Sequence, residues 1–550
     1  MVSISYIRYL DFYTSNWDLG LEMQMLADNF HGYILYEAAD FETYEVVSHL
    51  EIHSSYIALL FSYAYQELSD ALFLFTCQAL FFSLSLIPLN AISRYYSLSD
   101  RQSLFVSILY VTNVGLIASQ MYDFHWMSLI PAEFLTFFFF LIKRRFLLSF
   151  IILVIGSLTL EVFPPIALGP LLFLYYEDIL HSSNIKAFHL TKYRLSLIFL
   201  AILSITILII IKEVQYEILP TLLHQSNAIG MLSNDSPESL FPKSFSLYSS
   251  GLSLLYWGII YGSLGFIPLF YRRHLLIVLP WLYESILVVP SYSAISEQYG
   301  FVALPPLFIG LVLSLNRGNH EPIKFARILR SALYILMTCV SAVIVYDLTY
   351  QYSLTYRIAL SVFTAIIILA AMLILGNRSN IRQFILKQKK AISYAITVAF
   401  VLIIIFNFLV GPLDPINEER TFDSGYAFSY SLNPEYQNMI KIVSEIPKNA
   451  SIISSDNLFP YIANDPNAFS FYWNTPENLT FSKYYNLSAN FSFTYVLIDQ
   501  SQISYIPQAV QNRIQSNYGL LSAIDTQMRY PGNIYLYKFD YTGKPANMYL

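Results

Sequence analysis

The side chains in this sequence best suited to chemistry lie at the ends of long apolar runs. Asp18 and Glu22 fall in NWDLGLEMQ, four residues apart, so one helix face could carry both carboxylates. His49, Glu51 and His53 fall in SHLEIHSSY, just ahead of an apolar stretch. Asp123 and His125 lie in MYDFHWM, Glu161 sits between two apolar segments and ahead of Pro164 and Pro165, and Glu297 and Tyr299 lie in SEQYGF. Paired carboxylates can act as general acids or bases. The i, i+4 spacing of His49 and His53 resembles a metal-ligand pair, with no third ligand beside it in sequence. Each carboxylate taken singly also reads as a helix N-cap or a solvated charge.

Composition says what must position these groups. Hydrophobic residues make up 56% of the 550-residue chain and charged residues 12%, with a mean hydropathy of +0.50. A soluble domain carries about 25% charge, and a globule with half of that would expose large apolar patches to water. Lipid as the solvent removes the problem. The net charge of −6, without any basic run, argues against a nucleic-acid partner. The two cysteines, Cys77 and Cys339, lie in apolar runs and make neither a disulfide framework nor a Cys-based zinc site.

A hydrocarbon core needs about 20 apolar residues per crossing. That criterion predicts about twelve transmembrane helices, near 70–93, 103–120, 126–142, 146–160, 162–177, 195–211, 251–270, 274–290, 299–315, 328–346, 357–375 and 391–411. With the N-terminus outside, the cytoplasmic loops hold 19 Lys and Arg, from Arg94 to Lys390. The opposite loops before residue 412 hold four: Arg8, Lys212, Lys243 and Arg357. The positive-inside rule predicts this asymmetry. Residues 1–52 hold nine Asp and Glu against one basic residue, and 1–10 are too short and polar to span, so an additional helix ahead of this chain is expected.

The chain accordingly divides into an acidic extracytoplasmic loop with an interfacial helix (1–69), a transmembrane domain (70–411) and a small extracytoplasmic α/β domain (412–550). In the last, ASIISSDNLFPYIAN reads as strand, turn and helix start, TYVLID as a buried strand, and IYLYKF as a half-exposed one. Of six N-x-[ST] sequons, Asn234, Asn449, Asn478, Asn486 and Asn490 fall on the expected outside and Asn377 inside.

The motifs NWDLGLEMQ, SHLEIHSSY, YDFHWM, LEVFPP and SEQYGFVALPPLFIG, in that order, resemble the predicted membrane proteins of "domain of unknown function 2079". The stretch IPKNASIISSDNLFPYIAN with YVLID resembles that family's C-terminal region. The resemblance runs from about residue 14 to residue 500. The family usually reads Asp-Phe-His-Pro-Glu where Asp123, Phe124, His125, Trp126 and Met127 stand here, and has Lys where Leu160 precedes Glu161. In layout the family is similar to the GT-C glycosyltransferases, which use polyprenyl-phosphate-linked sugars. The resemblance implies a catalytic Asp18, with Glu22 as runner-up, an interfacial helix over 54–67, and a next span over 70–93.

Together these readings predict a GT-C-like multi-pass protein of the cell membrane. It would move a sugar from a polyprenyl-phosphate carrier to an extracytoplasmic acceptor. Asp123, His125, Glu161, Glu297 and Tyr299 would bind substrate. A divalent cation, held by His49 and His53 among others, or a basic side chain would offset the lipid phosphate. The alternatives are a multi-pass transporter, against which stands the lack of an internal repeat, and a non-catalytic anchor for the C-terminal domain.

Overall fold

The structure is a computed structural model. It describes residues 1–29, 31–38, 40, 46–181, 191–223, 247–293, 297–320, 401–407, 435–448, 450–471, 493–506, 508–526, 532–545 and 547–549, with a few isolated positions between 334 and 367. The expected spans 328–346 and 357–375 and all six sequons lie outside the described residues, apart from those isolated positions.

The expected interfacial helix and the span after it are separate elements. Helix Ala58–Leu68 ends at Ser69, which takes a left-handed φ of 40°. The chain then restarts at Asp70, whose side chain accepts a hydrogen bond of 3.0 Å from the Leu72 amide and caps Ala71–Leu84. Helices Ala71–Leu84 and Leu86–Tyr95 continue one another as a 25-residue apolar span.

The next predicted span is bent. Asp100–Val111 and Val114–Met121 meet at 42°. A break inside lipid frees backbone groups that must be satisfied by protein, and two asparagines do this. Asn113 accepts from the Gly115 amide at 3.0 Å and donates to Ser263 Oγ at 2.8 Å. Asn407, from a distant helix, accepts from the Val114 amide at 2.6 Å and donates to the Ser263 carbonyl at 2.9 Å.

Helices Ile130–Ile142, Phe146–Thr159, Phe163–His181, Lys192–Glu213, Leu247–Gly262, Leu275–Tyr283 and Gly300–His320 follow in the predicted places. The expectation of about twelve full crossings is coarser than what is found. Among the described residues three helices are long and apolar enough to cross a membrane, or four with the bent pair. Two of the others run into 3-10 or π turns, Ile130–Ile142 at Trp126–Leu129 and Leu275–Tyr283 at Glu284–Val288.

Glycines let these helices touch. A Cβ on Gly169 would sit 2.3 Å from the Ile277 carbonyl oxygen, and one on Gly300 would sit 2.4 Å from the Gly115 carbonyl oxygen. Helix packing in lipid relies on such small-residue contacts, because apolar burial gains little there.

The C-terminal region forms a six-stranded sheet of order β2-β1-β3-β5-β4-β6: β1 Ile452–Ser455, β2 Ala468–Phe471, β3 Tyr495–Asp499, β4 Tyr518–Ile524, β5 Ile534–Phe539 and β6 Asn547–Tyr549. Strand β1 pairs in parallel with β2 and β3, while β3 and β4 flank β5 antiparallel. The three strands read from sequence are all present, β3 fully buried and β5 alternating over its first residues.

This domain rests on the first loop. Tyr461 stacks on Tyr9 with ring centres 4.7 Å apart and donates to the Tyr9 carbonyl. Tyr65 donates to Asn464 at 2.8 Å, and Gln24 donates to the Ala468 carbonyl at 3.0 Å.

Candidate functional site

Asp18 lies in a single π-helical turn, Asn16–Gly20, that leads into helix Leu21–Asp28. Its Oδ2 accepts a hydrogen bond of 2.7 Å from the Tyr122 hydroxyl. Tyr122 belongs to the loop after Met121, and that loop is pinned from both sides. Ser15 donates to Asp123 Oδ2 through its amide at 2.9 Å and its hydroxyl at 3.4 Å. Arg8, buried in helix Val2–Leu10, donates to the carbonyls of Met121 and Tyr13.

The electrostatics follow from this packing. Burial pushes the Asp18 carboxyl up to about 8, the neighbouring charge of Asp123 adds to the rise, and the Tyr122 hydrogen bond opposes it. Glu297 and Asp456 raise it further. Burial also raises Asp123, against the pull of Arg8 and the amides of Ser15 and Leu19. Arg8 beside Asp123 and Tyr122 on Asp18 each favour the charged carboxylate, against burial, which favours the neutral acid.

Glu22 shares the short helix but faces the interior. It is 2% exposed and its Oε2 accepts from Trp126 Nε1 at 2.7 Å. Burial holds its carboxyl well above the usual range. Of the two acids predicted to catalyse, Asp18 is the partly exposed one.

A second group adjoins the first through Trp126 and His125. His53 Nδ1 lies 2.6 Å from Glu161 Oε1, and the Ser54 amide donates to Glu161 Oε2 at 2.8 Å. Burial favours a neutral Glu161, but His53 and Lys212 outweigh it and hold the carboxyl below the usual range. His125 caps the turn Trp126–Leu129, its Nδ1 accepting from the Met127 amide at 3.1 Å. Burial, with His53 and His49 nearby, lowers His125 to about 3. Its Nδ1 is thus an acceptor, and the ring's proton sits on Nε2.

The predicted pair of His49 and His53 is brought together, with ring centres 5.2 Å apart. Their Nδ1 atoms engage different carboxylates, Asp40 Oδ2 at 2.7 Å for His49 and Glu161 for His53. Among the described residues, the group whose ligand atoms converge for a cation is Glu37, Asp40 and His49, without His53.

Glu297 is placed by its backbone, since Ser119 Oγ donates to its carbonyl at 2.9 Å. This contact lies beside the Gly115–Gly300 crossing, so the helix contact that positions Gly300–His320 also positions Glu297 against the Asp18 group. Tyr299 packs on Tyr292 at 4.4 Å and Trp281 at 6.2 Å.

Sequence reasoning missed Tyr122, which reads as one more tyrosine among 45. It missed Asp456, a residue of the C-terminal domain whose 3-10 turn Asp456–Tyr461 packs on the Asp18 turn. It named Arg8 and Lys212, with Lys243, as the nearest outer cations that could offset the lipid phosphate.

A helical bundle with long, bent and broken apolar helices, a first loop carrying a buried acidic group and a small sheet domain over that loop define a GT-C-like membrane protein fold. Two solved structures carry it: ArnT from Cupriavidus metallidurans bound to undecaprenyl phosphate (TM-score 0.52, 11% identity, 99% of this chain and 98% of that one) and the same protein in the apo state (TM-score 0.53, 10% identity, 98% and 97%). At that identity the likeness is one of fold. The chain itself belongs to the family described as "Predicted membrane protein (DUF2079)", matched over residues 8–348 and 328–528. No functionally curated protein matches the sequence.

Proposed function

We propose that the protein is a membrane glycosyltransferase that moves a sugar from a polyprenyl-phosphate carrier to an acceptor on the outer side of the membrane. The observation that carries this reading is the Asp18–Tyr122 pair, set in a buried acidic group under the C-terminal domain. The acceptor's hydroxyl oxygen attacks the anomeric carbon while the bond from that carbon to the lipid phosphate breaks. The hydroxyl proton passes to the Asp18 carboxylate, and the electron pair of the broken bond leaves on polyprenyl phosphate. A base with a pKa near the working pH is the effective one for such a transfer.

The leaving phosphate needs positive charge. Lys212 and His53 flank Glu161 at the outer end of helices Phe163–His181 and Lys192–Glu213, and they supply it. Further along the same two helices lies an apolar groove of about 350 Å³, lined by Leu168, Leu171, Tyr175, Leu197, Ala201 and Pro280. At 1.5 Å per residue it lies roughly 10–20 Å from Glu161 and Lys212. A lipid whose phosphate meets Lys212 and His53 can lay its chain there. The solved ArnT complex holds undecaprenyl phosphate, which supports a lipid of this class.

The test is sugar transfer from polyprenyl-phosphate donors by the reconstituted protein. Transfer supports the reading. Donor left intact across a panel of sugars and acceptors, with solute moved across the vesicle membrane instead, would favour the transporter.

A further inference from the structure

We propose that the turn of Lys143, Arg144 and Arg145, between helices Ile130–Ile142 and Phe146–Thr159, binds the headgroup of an anionic phospholipid in the leaflet opposite the Asp18 group. Helix Phe146–Thr159 is 14 residues long and ends just before Glu161. At 1.5 Å per residue the turn lies about 20 Å from Glu161, at the far end of the bundle from the first loop. The excess of Lys and Arg in the loops of this end makes it the cytoplasmic one.

The three cations have no charge of their own to meet. Lys143, Arg144 and Arg145 are exposed, and no carboxylate pairs with them among the described residues. Arg194 and Arg273, at the same end, are already committed, to Asp178 at 2.6 Å and Glu177 at 3.0 Å. Aromatic faces hold two of the free cations instead. Lys143 Nζ lies 4.8 Å from the centre of the Tyr95 ring, and the Arg144 guanidinium 4.6 Å from that of Tyr193. Both rings are tied to the turn, Tyr95 by donating to the Ile142 carbonyl at 3.2 Å and Tyr193 by packing on Phe146 at 5.8 Å. A guanidinium held by its face keeps its N–H edge for two phosphate oxygens.

The backbone and the lipid side add to this. Arg144 takes a left-handed φ of 55°, just past a helix end, where glycine is the usual residue. Its amide donates to the Leu141 carbonyl and the Arg145 amide to the Phe140 carbonyl, each at 2.9 Å, which closes the turn. A side chain in this conformation costs stability that glycine would not, and here it sets a guanidinium at the tip of the turn. Leu147 and Leu148, next in the chain, and Leu195 and Phe199, next to Tyr193, are exposed. Cations beside exposed apolar side chains suit a phosphate that carries acyl chains, where a soluble phosphate would need the cations alone. Basic pockets between transmembrane helices on the cytoplasmic side bind anionic headgroups in this way.

The site stands on these contacts and not on the transferase reading, so its test needs no sugar donor. The purified full chain in neutral detergent is titrated with phosphatidylglycerol or phosphatidylcholine, and bound lipid per chain is read by native mass spectrometry. The parent should bind phosphatidylglycerol roughly tenfold or more tighter than phosphatidylcholine. Each cation contributes about fivefold, so Arg144→Gly should weaken phosphatidylglycerol binding by roughly that factor, and Lys143→Gln, Arg144→Gln and Arg145→Gln combined by roughly 100-fold. Glycine fits the left-handed position, so the thermal transition of Arg144→Gly should match or exceed the parent's, which separates lost binding from lost folding. Arg101→Gln removes a cation of the same face on helix Asp100–Val111 and should bind as the parent does. Equal binding of the two lipids by the parent, unchanged binding in the triple variant, or an equal loss in Arg101→Gln would overturn the proposal.

Discussion

The Tyr122 hydroxyl meets Asp18 Oδ2 at 2.7 Å across 104 residues of sequence, joining the first loop to the loop between two later helices. Tyr122 donates to a carboxyl that burial and Asp123 drive toward its neutral form, and so keeps the basic form within reach. Removing that donor in Tyr122→Phe raises the Asp18 pKa by on the order of one unit, the equivalent of one hydrogen bond. The pH–rate profile of sugar transfer should shift upward by that amount, with little change in rate on its alkaline plateau.

The sign of the pH dependence in the parent protein follows from the same carboxyl. Asp18 titrates near 8, well above the ordinary 3.8, so its base form is the minority below pH 8 and the majority above it. Transfer should climb about tenfold per unit between pH 6 and 7.5 and level off above 8. A profile already flat from pH 5 upward would separate the rate from the Asp18 titration.

Arg8 lies under this pair and is almost completely buried. Its guanidinium serves the carbonyls of Met121 and Tyr13, and its charge opposes the rise of Asp123. Arg8→Met leaves those buried groups short of a donor and a cation, a loss of about 3–5 kcal/mol for a broken buried pair. Thermal unfolding in detergent should show a large drop, with Arg8→Lys in between.

Lys212 tests the phosphate end of the account. In Lys212→Met a charge-assisted contact of about 1.5–3 kcal/mol is lost, so binding of undecaprenyl phosphate, followed by native mass spectrometry, should weaken at least roughly tenfold. Glu161→Gln, which frees His53 and Lys212 from their carboxylate, should bind the phosphate as well as the parent or better.

Gly169→Ala tests the packing. Its Cβ would meet the Ile277 carbonyl at 2.3 Å, whereas a Cβ on Gly258 meets nothing within 4 Å. The first change should destabilise by about 1–3 kcal/mol through forced backbone displacement, and Gly258→Ala should be neutral or better in the melting transition.

Much of the helix layout was legible in the sequence, because lipid demands long apolar runs and the described helices begin within a few residues of those runs. Strands β1, β3 and β5 were legible for a similar reason, as IISS and YVLID are buried throughout and IYLYKF alternates. The bend at Thr112–Asn113 was not, because its remedy is Asn407, nearly three hundred residues away. Most residues of the candidate site could be picked out singly, Tyr122 and Asp456 excepted, but which of them pair with which could not. His49 and His53 share a helical spacing, yet Asp40 and Glu161 draw them to separate carboxylates. Glu22 sits one turn from Asp18 and serves Trp126 instead. Asp456 could not be found from a local pattern, since only docking of the sheet domain brings it to Asp18.

The central claim is that Asp18 takes the acceptor's proton during sugar transfer. The most direct measurement is the turnover of a polyprenyl-phosphate sugar by the reconstituted parent protein against Asp18→Asn, at pH 8.5. The account predicts that the parent transfers sugar and that Asp18→Asn is slower by about 10²–10⁴-fold while still binding the lipid. Equal turnover by the two proteins would contradict it.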